Sequence, residues 1–416
     1  MGGSAFSQGP NPLNTPRMPS PVFHHMSEEC KKSLRQLFLC VASPIEAPCK
    51  SDHGDLDIFV AWPTSPSHGS SILGVDAGTI SAYHDTIGLA LGAERCKKNG
   101  NIANYAIPWP EHLGSDQASL AEQPESKPYI QVDVTVAESL EEMQWFLFKH
   151  AHGDIWSLLG SIIRPYGLTI DEQSLFIRIP EIEKKNRKMA KIRLTSEPIE
   201  VLSFLGLPFE GFWERPFSTI DQMFEYVSQC RMFQVYPASK KGPNGGPLDQ
   251  GEAEKSDDRK RMKTRPVFHL WMTTFLSSCR LEGRFLDART SRDDVRREAL
   301  ARFQVHHEYQ HRLDQFVREE QVSHIKKDII KATFPAPDPQ SAAPGALQYR
   351  GCLVKALARI VLDDDTTYGV FPDPAYPLKD ARGIFDLDNV RRFINLNHES
   401  IGAAAMELHH QARLDR

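Results

Sequence analysis

The chain has 416 residues, 40% hydrophobic and 25% charged, which suits a folded protein of about two or three domains. Its formal net charge of −5 excludes a global positive field as the route to nucleic acid, so any such contact must rest on local basic clusters. The seven cysteines are scattered with no C-x-x-C pair, and no apolar run approaches a membrane span, which predicts an intracellular protein, cytoplasmic or nuclear, with no membrane partner.

Residues 1–26 are rich in Gly, Ser and Pro and lack an apolar stretch, which predicts a disordered leader rather than a secretory signal. Phe6 stands where a myristoylation signal wants Ser or Thr. Residues 27–41 predict a helix, with Ser27 as cap and Leu34, Leu37, Phe38 and Val41 spaced at three and four. LDIFVAW predicts a buried strand, 68–80 a loop and 81–93 a helix. AERCKKNGNIANYAI predicts a hairpin around an Asn-Gly turn, and residues 111–128 a loop. YIQVDVTVA predicts a second strand, followed by a helix with a capping box formed by Ser139 and Glu142. A further helix over 154–164 must stop before Pro165. LTIDEQSLFIRI predicts strand, turn and strand, and SEPIEVLSFLGL a short capped helix. Residues 236–265 are polar and Gly-rich and predict a flexible linker; 266–335 predict a helical region; 336–416 carry no legible fold.

The chemistry is concentrated in SDHGDLDIFV. Asp55 and Asp57 stand two apart at the start of a strand, so their carboxylates point to one face. Gly54 lets a ligand approach the backbone. Asp133 lies amid Val132, Val134 and Val136 in the second strand, where an acidic side chain has no packing rationale. If the strands are neighbours, three carboxylates converge, and Mg²⁺ or Mn²⁺ relieves their repulsion because such cations prefer oxygen ligands.

This pattern, G-D-h-D-h on one strand and h-D-h on a later one (h, hydrophobic), resembles the DNA polymerase beta superfamily of nucleotidyltransferases. HGDIWSLLGSIIRPYGLTIDEQSLFIRI followed by LTSEPIEVLSFLGLPF is similar to the thumb of family X polymerases. The chain is also similar to fungal nucleotidyltransferase-like proteins. The resemblance spans about residues 30–215. It implies an α+β fold, with a mixed-sheet nucleotidyltransferase palm at 27–150 and a thumb-like α+β segment at 151–235, ahead of the mainly helical C-terminal region read from the sequence itself. It also implies two divalent ions on Asp55, Asp57 and Asp133 as catalytic metal ligands, and an NTP as substrate. The superfamily's Gly-Ser pair is absent before the D-x-D strand, and Lys50 and Ser51 stand as partial substitutes. Without that pair, a degenerate nucleotide-binding protein is the main alternative. His150, His152, Gly153 and Asp154 fall where related enzymes turn beside the nucleotide's sugar, so His152 and Gly153 join the nucleotide-binding candidates; Asp154 as a helix cap is the plainer reading.

Lys184, Lys185, Arg187, Lys188, Lys191 and Arg193 form a basic run suited to an RNA or DNA 3′ end, or to a solvated loop. Arg259, Lys260, Arg261, Lys263 and Arg265 form a second, readable as a nuclear signal or a flexible nucleic-acid contact. His307, Glu308 and His311 match H-E-x-x-H on a helix, a zinc-protease spacing without the later Gly and His of metzincins; Glu319 or Glu320 would be the nearest acidic third ligand. An amphipathic helix with Phe303, Tyr309, Leu313 and Phe316 as its apolar positions is the preferred reading of that segment.

Overall fold

The computed structural model describes residues 3–8, 10–64, 77–113, 127–235, 256–338 and 343–414. Most of the loops expected at 68–80 and 111–128, and of the linker expected at 236–265, lie outside the described residues. The chain divides into two compact units, Met1–Arg178 with Lys191–Phe303, and Ile179–Ala190 with Gln304–Arg416.

The first unit opens with β1 (Met18–Pro19), α1 (Ser20–Leu34), β2 (Phe38–Ala42), β3 (Asp52–His53) and β4 (Asp55–Pro63). The helix expected over 27–41 therefore starts earlier and ends at Leu34. Pro21 sits in the first turn of α1, where its missing N–H costs nothing. Phe38–Ala42, apolar and partly β-branched, pairs antiparallel with β4 instead of extending the helix. Residues ahead of α1, expected as a disordered leader, are also placed: Met18 and Pro19 pair with His53 and Asp52.

There follow α2 (Ala77–Ala90), β5 (Arg95–Asn99), β6 (Ile102–Pro108) and β7 (Tyr129–Val136). The hairpin forms as the Asn-Gly signal predicts, with Asn99 opposite Ile102 and Gly100 at φ +62. The resulting five-stranded sheet has the order β2-β4-β7-β6-β5, with β4 and β7 parallel and the other pairs antiparallel. One face is apolar at every second position: Leu56, Ile58 and Val60 on β4, Val132, Val134 and Val136 on β7, Ala103, Tyr105 and Ile107 on β6. It packs under Val22, Met26, Cys30 and Leu34 of α1 and Ile87 of α2. The opposite face carries the acidic residues.

Next come α3 (Leu140–His150), α4 (Ile155–Ile163), β8 (Leu168–Ile170), β9 (Leu175–Arg178), α5 (Pro180–Glu183), β10 (Lys191–Thr195), α6 (Pro198–Leu205) and α7 (Ile220–Ser228). Ser139 caps α3 by accepting the Glu142 N–H at 3.1 Å, while Glu142 accepts from the Glu138 N–H at 2.6 Å, so the reciprocal bond falls one residue before the cap. β8, β9 and β10 form an antiparallel sheet in the order β10-β9-β8. The unit ends with α8 (Ser256–Thr264), α9 (Pro266–Leu270), a π-helical turn Trp271–Phe275, α10 (Leu276–Leu281) and α11 (Arg292–Arg302).

The second unit contains α5 and three long helices: α12 (His306–His324, continued as a π-helix through Ile325–Lys331), α13 (Ala346–Asp363) and α14 (Leu387–Leu414). Its core joins Ile325, Ile329, Leu357, Ile360, Phe393 and Ile401. α13 and α14 approach so closely that a Cβ on Gly402 would lie 2.1 Å from the Tyr349 hydroxyl. The tail that was illegible in sequence is thus a helical core. Among the described residues no helix is long and apolar enough to cross a membrane, and all seven cysteines are free.

Burial predicts which local feature matters more to stability. Ile58→Ala, at a fully buried position, should lose about 2–5 kcal/mol in urea unfolding. Ser139→Ala, which removes only a helix cap, should lose about 1 kcal/mol. A cap loss equal to the core loss would contradict this placement of the sheet's core face.

Candidate active site

The parallel pairing of β4 and β7 sets Asp55 opposite Gln131 and Asp57 opposite Asp133. On the antiparallel side Asn104 of β6 stands opposite Asp133. Side chains at alternate positions share a face, so Asp55, Asp57, Gln131, Asp133 and Asn104 project together from the side away from the α1–α2 core. All three expected carboxylates are therefore neighbours on one surface, and each is partly shielded from water.

Their electrostatics follow from that placement. Burial pushes the Asp57 carboxyl up to about 7, and the charges of Asp55 and Asp133 push the same way, with Lys50 opposing. Burial pushes Asp133 up to about 6, with hydrogen bonds from Asn104 and Gln131 pulling down and Asp55 pushing up. Asp57 is the carboxylate least compensated by the protein.

Two of the three are already engaged. Gly3 N–H donates to Asp55 Oδ2 at 3.1 Å, and Gln131 Nε2 donates to Asp133 Oδ1 at 2.9 Å. Among the described residues no group of three or more His, Cys, Asp or Glu side chains is set to hold a metal ion. The donor chemistry nevertheless fits a hard dication: three carboxylates on one face, free of sulfur or imidazole, with burial penalising the charge of Asp57 and Asp133.

Asp55 and Asp57 open onto a cleft of about 600 Å³. Lys50, Gly54 and Gly153 line it; Ser51 is exposed and is not part of the lining. His152 is a correction. Its φ of +55 turns the side chain inward, where it is fully buried between Phe212 and Phe217 and its Nε2 donates to the Phe212 carbonyl at 2.7 Å. Burial lowers its pKa, so it is a neutral core histidine and faces no nucleotide. His150 lines the cleft, and its ring packs on Phe59 at 5.1 Å between centroids. Asp154 precedes α4 without capping it through its side chain, and it pairs with Arg265 instead.

The cleft's basic wall was not foreseen. Arg17, Lys149 and Arg164 line it, and Arg261 and Arg265 reach it from α8 and the residue after it. The second basic cluster had been visible in sequence, and the i, i+4 spacing of Arg261 and Arg265 could have marked one helical face. What sequence could not show is that this face meets Asp154. Another unforeseen residue is His53, fully buried and stacked on Phe23 with ring centroids 3.6 Å apart. Burial lowers its pKa to about 4, with Lys50 adding to the effect, so it is neutral packing beneath Gly54.

The other sequence candidates lie elsewhere. Lys184, Lys185, Arg187 and Lys188 belong to the second unit, where Lys185 pairs with Glu320, whereas Lys191 belongs to the first and pairs with Asp171 at 2.7 Å. His307 and His311 lie exposed on one face of α12 with rings 6.4 Å apart, and Glu308 pairs with Arg312. Glu320 is already paired with Lys185, and the zinc-protease spacing therefore reads as a solvated helix face.

No family model matches the chain, and no curated protein matches it. Among solved structures the chain is similar to Leishmania infantum polymerase beta in a ternary P/T complex, at 13% identity and a TM-score of 0.31, over 48% of this chain and 77% of that one. It is similar to the same polymerase in a ternary gap complex at 14% identity and a TM-score of 0.31, over 48% of this chain and 71% of that one. At such identities and scores the reading of the site rests on its own geometry.

Proposed function

We propose that the chain is a nucleotidyltransferase that moves a nucleoside monophosphate from an NTP to an acceptor hydroxyl, a nucleic-acid 3′ end, and releases pyrophosphate. The observation that carries this reading is the register of Asp57 against Asp133, with Asp55 two residues before, at the mouth of a cleft whose other wall is basic. Asp55, Asp57 and Asp133 would hold two Mg²⁺ or Mn²⁺ ions, whose chemistry is to acidify an acceptor hydroxyl and neutralise the leaving pyrophosphate.

The chain's own residues do the rest. Lys50, Arg261 and Arg265 present positive charge toward a polyphosphate, a role that takes the place of the missing Gly-Ser backbone cradle. Asp154 holds Arg265 toward the cleft by their ion pair, which limits the side-chain entropy lost on binding. Gly153, at φ +63 and lining the cleft, offers its backbone to the sugar, and the absence of a Cβ lets it sit against Ala47. Lys184, Lys185, Arg187, Lys188 and Lys191 are proposed contacts for the acceptor's phosphates. A degenerate nucleotide-binding protein is the second reading, favoured by the hydrogen bonds that already engage Asp55 and Asp133.

Three outcomes test this. Labelled NTP incubated with Mg²⁺ or Mn²⁺ and pooled RNA and DNA oligonucleotides should give labelled product, and Asp57→Ala or Asp133→Ala should lower its rate by about 100-fold or more. Metal-dependent NTP binding without product would favour the degenerate reading, and undiminished activity in either variant would remove the site assignment. Arg261→Ala with Arg265→Ala should raise KM for the NTP about 10-fold or more with a smaller change in kcat, as expected for lost charge-assisted bonds to phosphate. The third concerns pH. The folded carboxyl of Asp57 holds its proton up to about 7, against 3.8 for an aspartate free in water, so the folded state binds more protons between those values. Stability of the metal-free protein should therefore fall as pH rises from about 4 to 7. Asp57→Asn should flatten that fall in thermal unfolding, and an unchanged slope would contradict the burial of this carboxylate.

A further inference from the structure

Residues 3–8 and 10–17 lie as a strap on the acidic face of the sheet. Phe6 anchors it, 2% exposed against Ala106 and Tyr129, with Leu13 packed alongside. Main-chain bonds fix its course: Leu13 N–H donates to the Phe6 carbonyl at 3.0 Å, and Tyr129 N–H donates to the Asn14 carbonyl at 2.8 Å. Thr15 Oγ1 donates to the Gly3 carbonyl at 2.8 Å, which closes the loop on itself.

The strap touches both ends of the carboxylate cluster. Gly3 N–H donates directly to Asp55 Oδ2. Ala5 N–H donates to Gln131 Oε1 at 2.9 Å, and the same amide side chain donates through Nε2 to Asp133 Oδ1. The approach at Gly3 requires glycine: its φ is +82, and a Cβ would lie 2.3 Å from the Gly54 carbonyl oxygen. A side chain at this position cannot be accommodated by rotation, because the obstacle is backbone.

We propose that this strap and divalent cations compete for the same carboxylates, so that the strap holds the site closed until metal displaces it. The inference rests on the metal-site reading given above. Docked, the strap supplies N–H donors to Asp55 and, through Gln131, to Asp133, in place of the positive charge the cluster calls for. A cation that takes Asp55 Oδ2 and Asp133 Oδ1 as ligands competes with those donors for the same oxygens. Loss of the Gly3 and Ala5 amide bonds leaves the strap on Phe6, which lies under Lys97, and on the bonds from Lys97 to the Ala5 carbonyl, Arg95 to the Asn11 carbonyl and Tyr129 to the Asn14 carbonyl; release of Phe6 bares the face over Ala106 and Tyr129, next to Gln131. Because both ligands bind the same protein exclusively, each weakens the other by the same factor.

The test uses the full chain and Mn²⁺ alone. Mn²⁺ affinity is measured by electron paramagnetic resonance for the wild type, Phe6→Asp and Gly3→Val, with Asp57→Ala as the site control. Amide exchange at Ala5 and Leu13 is followed with and without Mn²⁺. Phe6→Asp removes the anchor, and Gly3→Val blocks the close approach without touching the sheet, so the pair does not depend on one variant folding. Both should bind Mn²⁺ about 10-fold more tightly than the wild type, and Mn²⁺ should abolish exchange protection at Ala5 and Leu13 in the wild type. Equal affinities in all three, with protection intact at saturating Mn²⁺, would overturn the strap's competition while leaving the metal site standing. Mn²⁺ held by none of them, or held undiminished by Asp57→Ala, would overturn the metal reading itself and the competition with it.

Discussion

Asp57 and Asp133 stand side by side because β4 and β7 run parallel in one register, and that register is set by the opposite face of the sheet. Leu56, Ile58 and Val60 must meet the core with Val132, Val134 and Val136, all of them buried. A slip of one residue would send Asp57 and its neighbours into that core and the apolar set to water, at a cost no local interaction offsets. The acidic cluster is thus a by-product of hydrophobic alternation: the core fixes the strands, and the strands fix the carboxylates. Repulsion and burial then raise Asp57 and Asp133, so the fold stores an unmet demand for positive charge at one spot.

That demand is met in part, and unevenly. Lys50 lowers the pKa of Asp57 from one side, Gln131 and Asn104 serve Asp133, and Gly3 serves Asp55. The basic residues of the far wall do not neutralise the cluster directly. Arg265 is spent on Asp154, Arg17 on Asp52, and Lys149 lies 3.5 Å from Glu172. The cleft therefore keeps its charges separated, acidic at the sheet and basic at the helices. A ligand that is anionic along its length and bridged to the acidic side by cations would satisfy both walls together, which is the polarity of a metal-bound polyphosphate.

The parts of this site that sequence disclosed are those governed by period. Asp55 and Asp57 at i and i+2, and Asp133 between valines, stand out because a strand of period two sets them on one face, opposite the apolar one. The cap at Ser139 and the hairpin at Asn99-Gly100 are likewise local chemistry. What sequence did not disclose depends on long-range contact. His152 looked like a turn residue free to meet a sugar, yet a left-handed backbone angle puts it among Phe212 and Phe217, which lie sixty and more positions away. Arg261 was visible as charge but not as cleft wall, for the same reason. The end of α1 was misplaced because Leu37, Phe38 and Val41 fit a helical stripe as well as a strand, and only pairing with β4 decides between them.

The N-terminal segment is the sharpest case. Gly, Ser and Pro depress every measure of burial, so composition reads the segment as disorder. Composition weighs side chains, however, and this strap is held chiefly by main-chain groups, with a single aromatic anchor. Glycine favours such a role: without a side chain at residue 3, an amide can reach Asp55 past the Gly54 carbonyl. One large side chain, Phe6, is buried in it; the rest of its hold is hydrogen bonds and the cations of Lys97, Arg95 and Arg17, each open to replacement by water. A segment too weakly packed to be predicted is also weak enough to yield, and its placement on the carboxylates ties that weakness to the chemistry of the site.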